Sequence, residues 1–396
     1  VTLDSTWPTA VDYTGAAQDP EHCFVDPRLK RARFQENRMG MPVVRSGQMA
    51  AVMPVEIDGT RHALRLFTTP VDHSARYTAV NEHLRTRPAA PLLPAEWITD
   101  AVAVGDGTYP AVLMPWVDGV LLSSHVDDLV EEGRAGELRT VADRWVHLAG
   151  SLRSESIIHG DLQHGNVMVG ADGSLWVIDY DGVWVPGMST ALHEAGQPNY
   201  QHPQRMEVPE VVVEADTFAA FVIYLSLRAV AADPDLWDGF HGGENLILVR
   251  EDFLEVGRRG SPIWTALSAS PDPDVVRHTT TLSRLCSTDL RTIPPLYDLV
   301  TRGAEVLNGS SDYVPERAPQ RAGGAWWDQD DEGLQAAEAG PPAATAPSTA
   351  PPVNRSTSEP PYWAEAPEKS SAMKVAVTLL VLALIIVIVT VLVALA

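Results

Sequence analysis

Cysteine is nearly absent from this 396-residue chain: Cys23 and Cys286 are its 2 cysteines, far apart and in no Cys-x-x-Cys pair. That excludes a disulfide framework and a cysteine-rich zinc site, and it suits a reducing compartment. Basic residues are scarce beside acidic ones, 29 Lys+Arg against 52 Asp+Glu, for a formal net charge of -23. Such a charge argues against nucleic acid or an anionic lipid surface as the main partner of the whole chain, because both are polyanions. Residues 1–36 hold Asp4, Asp12, Asp19, Glu21 and Asp26 and lack an apolar run, so no secretory leader is read there. His164, His193 and His202 lack metal-ligand spacing. Against these absences, 45% hydrophobic residues suffice to bury a sizeable core, in one large domain or two smaller ones.

One long hydrophobic run is present. Residues 375–396 read VAVTLLVLALIIVIVTVLVALA, without charge and with only Thr378 and Thr390 as polar groups. As a helix rising about 1.5 Å per residue, the run is long enough for the roughly 30 Å hydrocarbon core of a bilayer. A buried core helix would be shorter and keep a polar stripe, so a C-terminal transmembrane anchor is expected within residues 373–396. Lys369 and Lys374 flank its N-terminal side, which favours a cytoplasmic location for that side. The acidic, Pro- and Ala-rich stretch 306–372 shows no helical or strand period and is expected to be a disordered tether. Trp326, Trp327, Tyr362 and Trp363 are out of place in a tether. They read equally as short docking motifs or, for the last two, as residues near the membrane interface.

What remains is a globular part, residues 37–305, behind an N-terminal extension, residues 1–36. Its most informative stretch is HGDLQHGNVMV (159–169) followed by LWVIDYDG (175–182). Apolar alternation at Val167, Val169, Leu175 and Val177 around Ala171-Asp172-Gly173 predicts a short β-hairpin. Asp161 and Asn166 lie on the loop entering the hairpin and Asp179 at its exit, so two carboxylates and a carboxamide meet at one edge. Phosphoryl transfer needs that set: one carboxylate to orient the acceptor hydroxyl, and an Asp with an Asn to hold magnesium against phosphates.

These segments resemble the catalytic and magnesium-binding loops of the protein-kinase superfamily, HRDxxxxN and DFG. His159, Asp161 and Asn166 fall on the first pattern. Asp179 falls on the second, with Tyr180 in the Phe place, Asp181 in the Gly place and Gly182 following. RHALRLF (61–67) alternates like a strand and puts Arg65 where the family has its phosphate-contacting lysine; Glu82, in the helical stretch 72–87, is placed to pair with it. SGQMAAV (46–52) is similar to the second half of a Gly-rich phosphate loop, with Gly47 kept. VLMPWVDG (112–119) looks like the last N-lobe strand and the hinge, where adenine would bond backbone groups near Met114. GQPNYQHP (196–203) resembles the close of an activation segment, and ADTFAAFVIYLSL (215–227) the helix whose Asp, here Asp216, braces the catalytic loop. LCSTDLRTIPPL (285–296) looks like the region of the last helices. Aminoglycoside-type small-molecule kinases share the HGD-x4-N loop but lack that activation segment, which favours the protein-kinase branch, in a bacterial subset that combines HGDLQHGN, IDYDG and NYQHP.

The resemblance implies an α+β, bilobal protein-kinase-like fold: a five-stranded antiparallel sheet and one helix over about residues 37–114, and a mainly helical lobe over about 119–305. It implies ATP and Mg as cofactors, Asp161 as catalytic base, and Asn166 and Asp179 as magnesium ligands. Gly47, Arg65, Glu82 and Met114 complete the nucleotide site, and protein Ser/Thr hydroxyls near the cytoplasmic face of the cell membrane are the expected substrate, with no nucleic acid. Three departures bear on activity. The planar guanidinium of Arg65 is not interchangeable with an ammonium. Gly160 replaces the arginine that receives an activation-segment phosphate, so a phosphate on Ser189 or Thr190 is expected to lack its usual receiver. Gln163 replaces the lysine on the transferred phosphate. Two missing ammonium groups are expected to cost about 2–4 kcal/mol in barrier if each acts like a lost oxyanion donor, which keeps a nucleotide-binding pseudokinase or scaffold as the alternative, and an aminoglycoside-type kinase as a second. His159 is read as structural, Asp181 as a turn carboxylate rather than a second metal ligand, and Trp97, Trp145, Trp237 and Trp264 as helix-packing residues.

Overall fold

The computed structural model describes residues 7–47, 49–87, 91–191, 196–256 and 261–308. The readings of the tether beyond residue 308 and of the anchor at 373–396 therefore lie outside the described residues.

The chain begins with three short helices, α1 (Ala10–Gln18), α2 (Pro20–Cys23) and α3 (Pro27–Lys30). Thr9 and Asp12 start α1 with a reciprocal capping box, and α2 and α3 each open on a proline behind Asp19 and Asp26. Then come β1 (Arg33–Phe34), β2 (Arg45–Ser46), β3 (Ala50–Ile57), β4 (Thr60–Phe67), helix α4 (Ser74–Arg85), β5 (Glu96–Val104) and β6 (Gly107–Pro115). The strands form a 6-stranded antiparallel sheet in the order β1-β3-β4-β6-β5, with β2 also on β3.

Two sequence expectations change here. The sheet has six strands rather than five, because Arg33 and Phe34 pair with Glu56 and Val55 of β3. The segment expected to be an extension also carries buried Tyr13, Phe24, Leu29 and Phe34, which share one core with Met53, Val55, Leu64 and Leu66. The cause is the sheet's period of two: Leu64 and Leu66 face one side of β4 and Arg65 and Phe67 the other. The apolar outer face must be covered, and α1 to α3 cover it. Trp7 Nε1 and the Tyr13 hydroxyl both donate to the Phe67 carbonyl, tying this cover to the end of β4.

After β6, a short connection leads to β7 (Gly119–Leu121), α5 (Leu122–Glu131) and α6 (Leu138–Ser154). The expected hairpin follows as β8 (Val167–Gly170) and β9 (Leu175–Val177), with Val167 opposite Val177 and Val169 opposite Leu175. β7 pairs with β8 to complete a 3-stranded sheet. The rest is helical: α7 (Val213–Ala232), α8 (Asp235–Phe240), α9 (Arg250–Leu254), α10 (Pro262–Ser268), α11 (Pro273–Leu285) and α12 (Leu296–Arg302). Among the described residues α7 is the one helix long and apolar enough to cross a membrane, but 89% of that window is buried inside the protein, so it serves as a core helix. Trp145, Trp237 and Trp264 lie on helices as expected, whereas Trp97 lies on β5 and packs against Phe67 and Tyr77. A sheet part followed by a helical part makes the fold α+β, compatible with the bilobal kinase-like architecture.

One core residue makes stability pH-dependent. His278 of α11 is fully buried, edge-on to Phe221 and Tyr224, and neither ring nitrogen has a hydrogen-bond partner among the described residues. Burial first, then the charge of Arg277, pushes its pKa down to about 4. A depressed histidine leaves stability intact above its ordinary value near 6.5 and removes it as pH falls toward 4, because the unfolded chain takes up the proton first. The loss amounts to about 3 kcal/mol at most. His278→Phe is expected to flatten the fall in melting temperature between pH 6.5 and 4 relative to wild type. Parallel melting curves for the two proteins would contradict this assignment.

Candidate active site

The loop from Ile158 to Asn166 is fixed from below by α7. Asp216, fully buried, accepts the backbone N–H of His159 at 2.5 Å and of Gly160 at 2.9 Å. Burial raises the Asp216 pKa, opposed by His159 and by those two hydrogen bonds. The expected brace is thus in place, with one difference: the His159 ring does not reach Asp216, and its Nε2 lies 3.1 Å from the Ile178 carbonyl. That contact links the loop to the residue preceding Asp179. Gly160 has φ +79, and a Cβ there would sit 2.7 Å from the Gly182 carbonyl oxygen. No side chain fits, so the arginine missing from this position is sterically excluded as well as absent.

Asp161 is held from two sides. Its Oδ2 accepts from Asn166 Nδ2 and Gln163 Nε2, both at 3.1 Å, and its Oδ1 accepts from the Gln197 backbone N–H at 2.6 Å. Asn166 Nδ2 also donates to the Asp161 carbonyl at 2.9 Å. The buried His164 anchors the same loop through the Tyr200 hydroxyl at 2.6 Å and the Gly243 carbonyl at 3.1 Å. Since the Tyr200 hydroxyl accepts from the Leu246 N–H, it donates to His164 Nδ1, which leaves the Nε2–H for Gly243.

Asp179 stands at φ +67, an uncommon conformation for a non-glycine residue and one concentrated at functional sites. It turns its carboxylate to Arg65 of β4, with Nη1 to Oδ1 at 2.8 Å and Nη2 to Oδ2 at 3.4 Å. Nη2 also reaches Asp181 Oδ2 at 2.7 Å, and Asp181 Oδ1 accepts from the Tyr77 hydroxyl of α4 at 3.1 Å. The Arg65 side chain is 10% exposed, that of Asp181 13% and that of Asp179 39%, so the cluster is buried at one end and open at Asp179. Burial works against the Arg65 charge, but the fields of Asp179 and Asp181 outweigh it and the net shift is upward.

The expected Arg65–Glu82 pair is therefore corrected. Glu82 is exposed and lies 3.4 Å from Arg85 on its own helix. The physical reason is helix phase: five residues place Glu82 about 140° around α4 from Tyr77, and Tyr77 is the residue that faces the site. Asp181 lies in a turn, but its carboxylate is mostly buried rather than solvated and is a counter-ion of Arg65. Gly47 lies at the β2–β3 turn, its N–H donating to the Ala50 carbonyl at 2.8 Å. It stands just past the row in which Arg45, Val52 and Arg65 are cross-strand neighbours. Met114 lies opposite Ala63 near the end of β6, half-buried against the helical core. Sequence reasoning missed Tyr77, the Gln197 N–H and the pairing of Asp181 with Arg65.

Asn166 and Asp179 are the residues that could offer oxygen donors to a hard divalent cation. Because Asn166 spends its Nδ2 on Asp161, its carboxamide oxygen remains as the donor, while Asp179 is the most exposed member of its cluster. Two protein oxygens would suit magnesium, which keeps waters and takes phosphate oxygens. No group of three or more His, Cys, Asp or Glu suited to a metal occurs among the described residues, so a dedicated all-protein cage is absent among them.

No family model matches the chain. A protein of Oryza sativa subsp. japonica named "Putative cyclin-dependent kinase F-2" is 27% identical over 224 residues, covering 52% of this chain and 61% of its own length. The chain thus spans less than two thirds of that relative. The similarity supports a protein-kinase-like superfamily.

Proposed function

We propose that this chain is an ATP- and magnesium-dependent phosphotransferase acting on Ser or Thr hydroxyls of a protein. The observation that carries the reading is the Asp161 carboxylate, held by Asn166, Gln163 and the Gln197 N–H on a loop braced by Asp216. In this reading Asp161 orients the acceptor hydroxyl and takes its proton, acting as general base within hydrogen-bond reach. Magnesium, when bound to Asn166 and Asp179, supplies neutralisation of phosphate charge. Arg65, held by Asp181 through Nη2, would be the cation that contacts the phosphates. A protein acceptor is favoured over a small molecule by the stretch after Asp179: residues 183–191 and 196–203 contain one short 3-10 turn, Pro198–Tyr200, and no long helix starts before Val213. Such a segment offers extended backbone beside Asp161. Labelled γ-phosphate transfer by the full chain, followed by phosphoamino-acid analysis, tests this; label found solely on small hydroxyl compounds would count against it.

The second reading, nucleotide binding without turnover, is favoured by one observation, the bidentate hold of Arg65 on Asp179. The proposed setting is the cytoplasmic face of a membrane, through the run at 375–396. Truncation after Ser371 is expected to move the protein from the membrane to the soluble fraction; unchanged partition would count against the anchor.

A further inference from the structure

One transverse row crosses the inner face of the large sheet: Arg45 of β2, Val52 of β3, Arg65 of β4, Val112 of β6 and Trp97 of β5. Directly opposed residues of antiparallel strands share a face, and the packing agrees. Val44, Ala51, Leu64, Ala111 and Ile98, each next in sequence to a member of the row, pack in the outer core beneath α1 to α3. Val112 is buried in the opposite core, and Trp97 packs against Tyr77. Arg45, exposed on its short strand, is thus placed on the face from which Arg65 reaches Asp179. Strands about 4.8 Å apart set the two arginine backbones about 10 Å from each other. The Gly47 N–H donates to the Ala50 carbonyl at 2.8 Å, which closes the β2–β3 turn and holds Arg45 opposite Val52.

The charge of Arg65 is already engaged. It serves both Asp179 and Asp181, so the three groups together are net negative. Gly160 has no side chain and Gln163 is neutral, so neither position of the catalytic loop adds a cation. A nucleotide polyphosphate arriving at this face calls for further positive charge, and the row places it there. A guanidinium donates five N–H groups and accepts none, which suits phosphate oxygens. Arg65 is pinned at Asp181, so an anion shared with Arg45 must be extended, as a polyphosphate is and a single carboxylate is not. We propose that Arg45 contacts the phosphate chain of the bound nucleotide and selects nucleoside triphosphates over the bare nucleoside. The inference rests on the nucleotide site proposed above and assigns it a residue just outside the stretch that resembles a phosphate loop.

The test measures binding of ATP with magnesium, and of adenosine, to the full chain by titration calorimetry in wild type, Arg45→Met and Arg45→Lys. Methionine keeps an apolar stem and removes the charge. The expected result is about tenfold weaker ATP binding by Arg45→Met, the weight of one charge-assisted hydrogen bond. Adenosine should bind all three proteins equally well. Arg45→Lys should recover part of the ATP affinity, because an ammonium keeps the attraction without the planar fork. Melting temperatures of the unliganded variants should match wild type, as for other exposed side chains. ATP bound equally by wild type and Arg45→Met would overturn the assignment and leave the nucleotide reading intact. A loss of adenosine affinity as large as that of ATP would also overturn it, since the residue would then act on the base pocket and not on the phosphates. Wild type that binds neither ligand would overturn the nucleotide reading, and the role of Arg45 with it.

Discussion

Arg65→Met is expected to destabilise the protein by about 3–5 kcal/mol, the range for removing one partner of a buried charge cluster. The reason is the asymmetry of the cluster. Arg65 neutralises both Asp179 and Asp181, and Asp181 is the more buried of the two. Taking the cation away leaves two carboxylates of like charge near one another with the Tyr77 hydroxyl and, at 3.4 Å from Asp179 Oδ1, the Asp181 backbone N–H to donate. Asp181→Asn should cost less, because a carboxamide still accepts from Arg65 and Tyr77 and Asp179 keeps its pair. Glu82→Gln is the control, since an exposed pair such as Glu82–Arg85 contributes about 0–1 kcal/mol. Urea unfolding of the three variants provides the measurement. Glu82→Gln matching Arg65→Met would mean that the helix α4 carboxylate, and not Asp181, holds the cation.

Gln163→Lys is expected to raise turnover, by about tenfold to a hundredfold. Gln163 stands two residues after Asp161 and its Nε2 lies 3.1 Å from Asp161 Oδ2, so position 163 already reaches the edge where the acceptor would sit. A neutral amide there steadies Asp161 without answering the negative charge that develops on the transferred phosphate. An ammonium in its place adds one donor aimed at that charge, and removal of one such donor typically lowers kcat by about 10²–10³. Part of that is forfeited because the lysine also attracts Asp161. The effect should fall on kcat and leave nucleotide affinity nearly unchanged, since the gain appears only as charge develops. A variant that binds nucleotide more tightly without faster transfer would instead support the non-catalytic reading.

Where the sequence was informative, the signal was local. The β8–β9 hairpin follows from apolar alternation within a dozen residues, and the structure pairs Val167 with Val177 as that alternation requires. Asp216 was legible as a brace through the resemblance of its helix to the one that carries the bracing Asp in the kinase superfamily, and in the structure it accepts from two backbone N–H groups. The partners of Arg65 were not legible, because Asp179 and Asp181 lie 114 and 116 residues further along the chain and only the fold brings them to β4. The cover formed by α1 to α3 was hidden because Tyr13, Phe24 and Leu29 are thinly spread among acidic residues.

The central claim is that Asp161, Asn166 and Asp179 form a phosphotransfer site. The most direct measurement compares wild type and Asp161→Asn, both as full chains with ATP and magnesium, for labelled phosphate on protein Ser and Thr, with nucleotide affinity measured on the same samples. The expected result is transfer by wild type and a loss of about 10²–10⁴-fold in the variant, the usual weight of general base catalysis, with affinity changed by less than a few fold. Equal transfer by the two proteins, or nucleotide binding with no transfer by wild type, would contradict the claim.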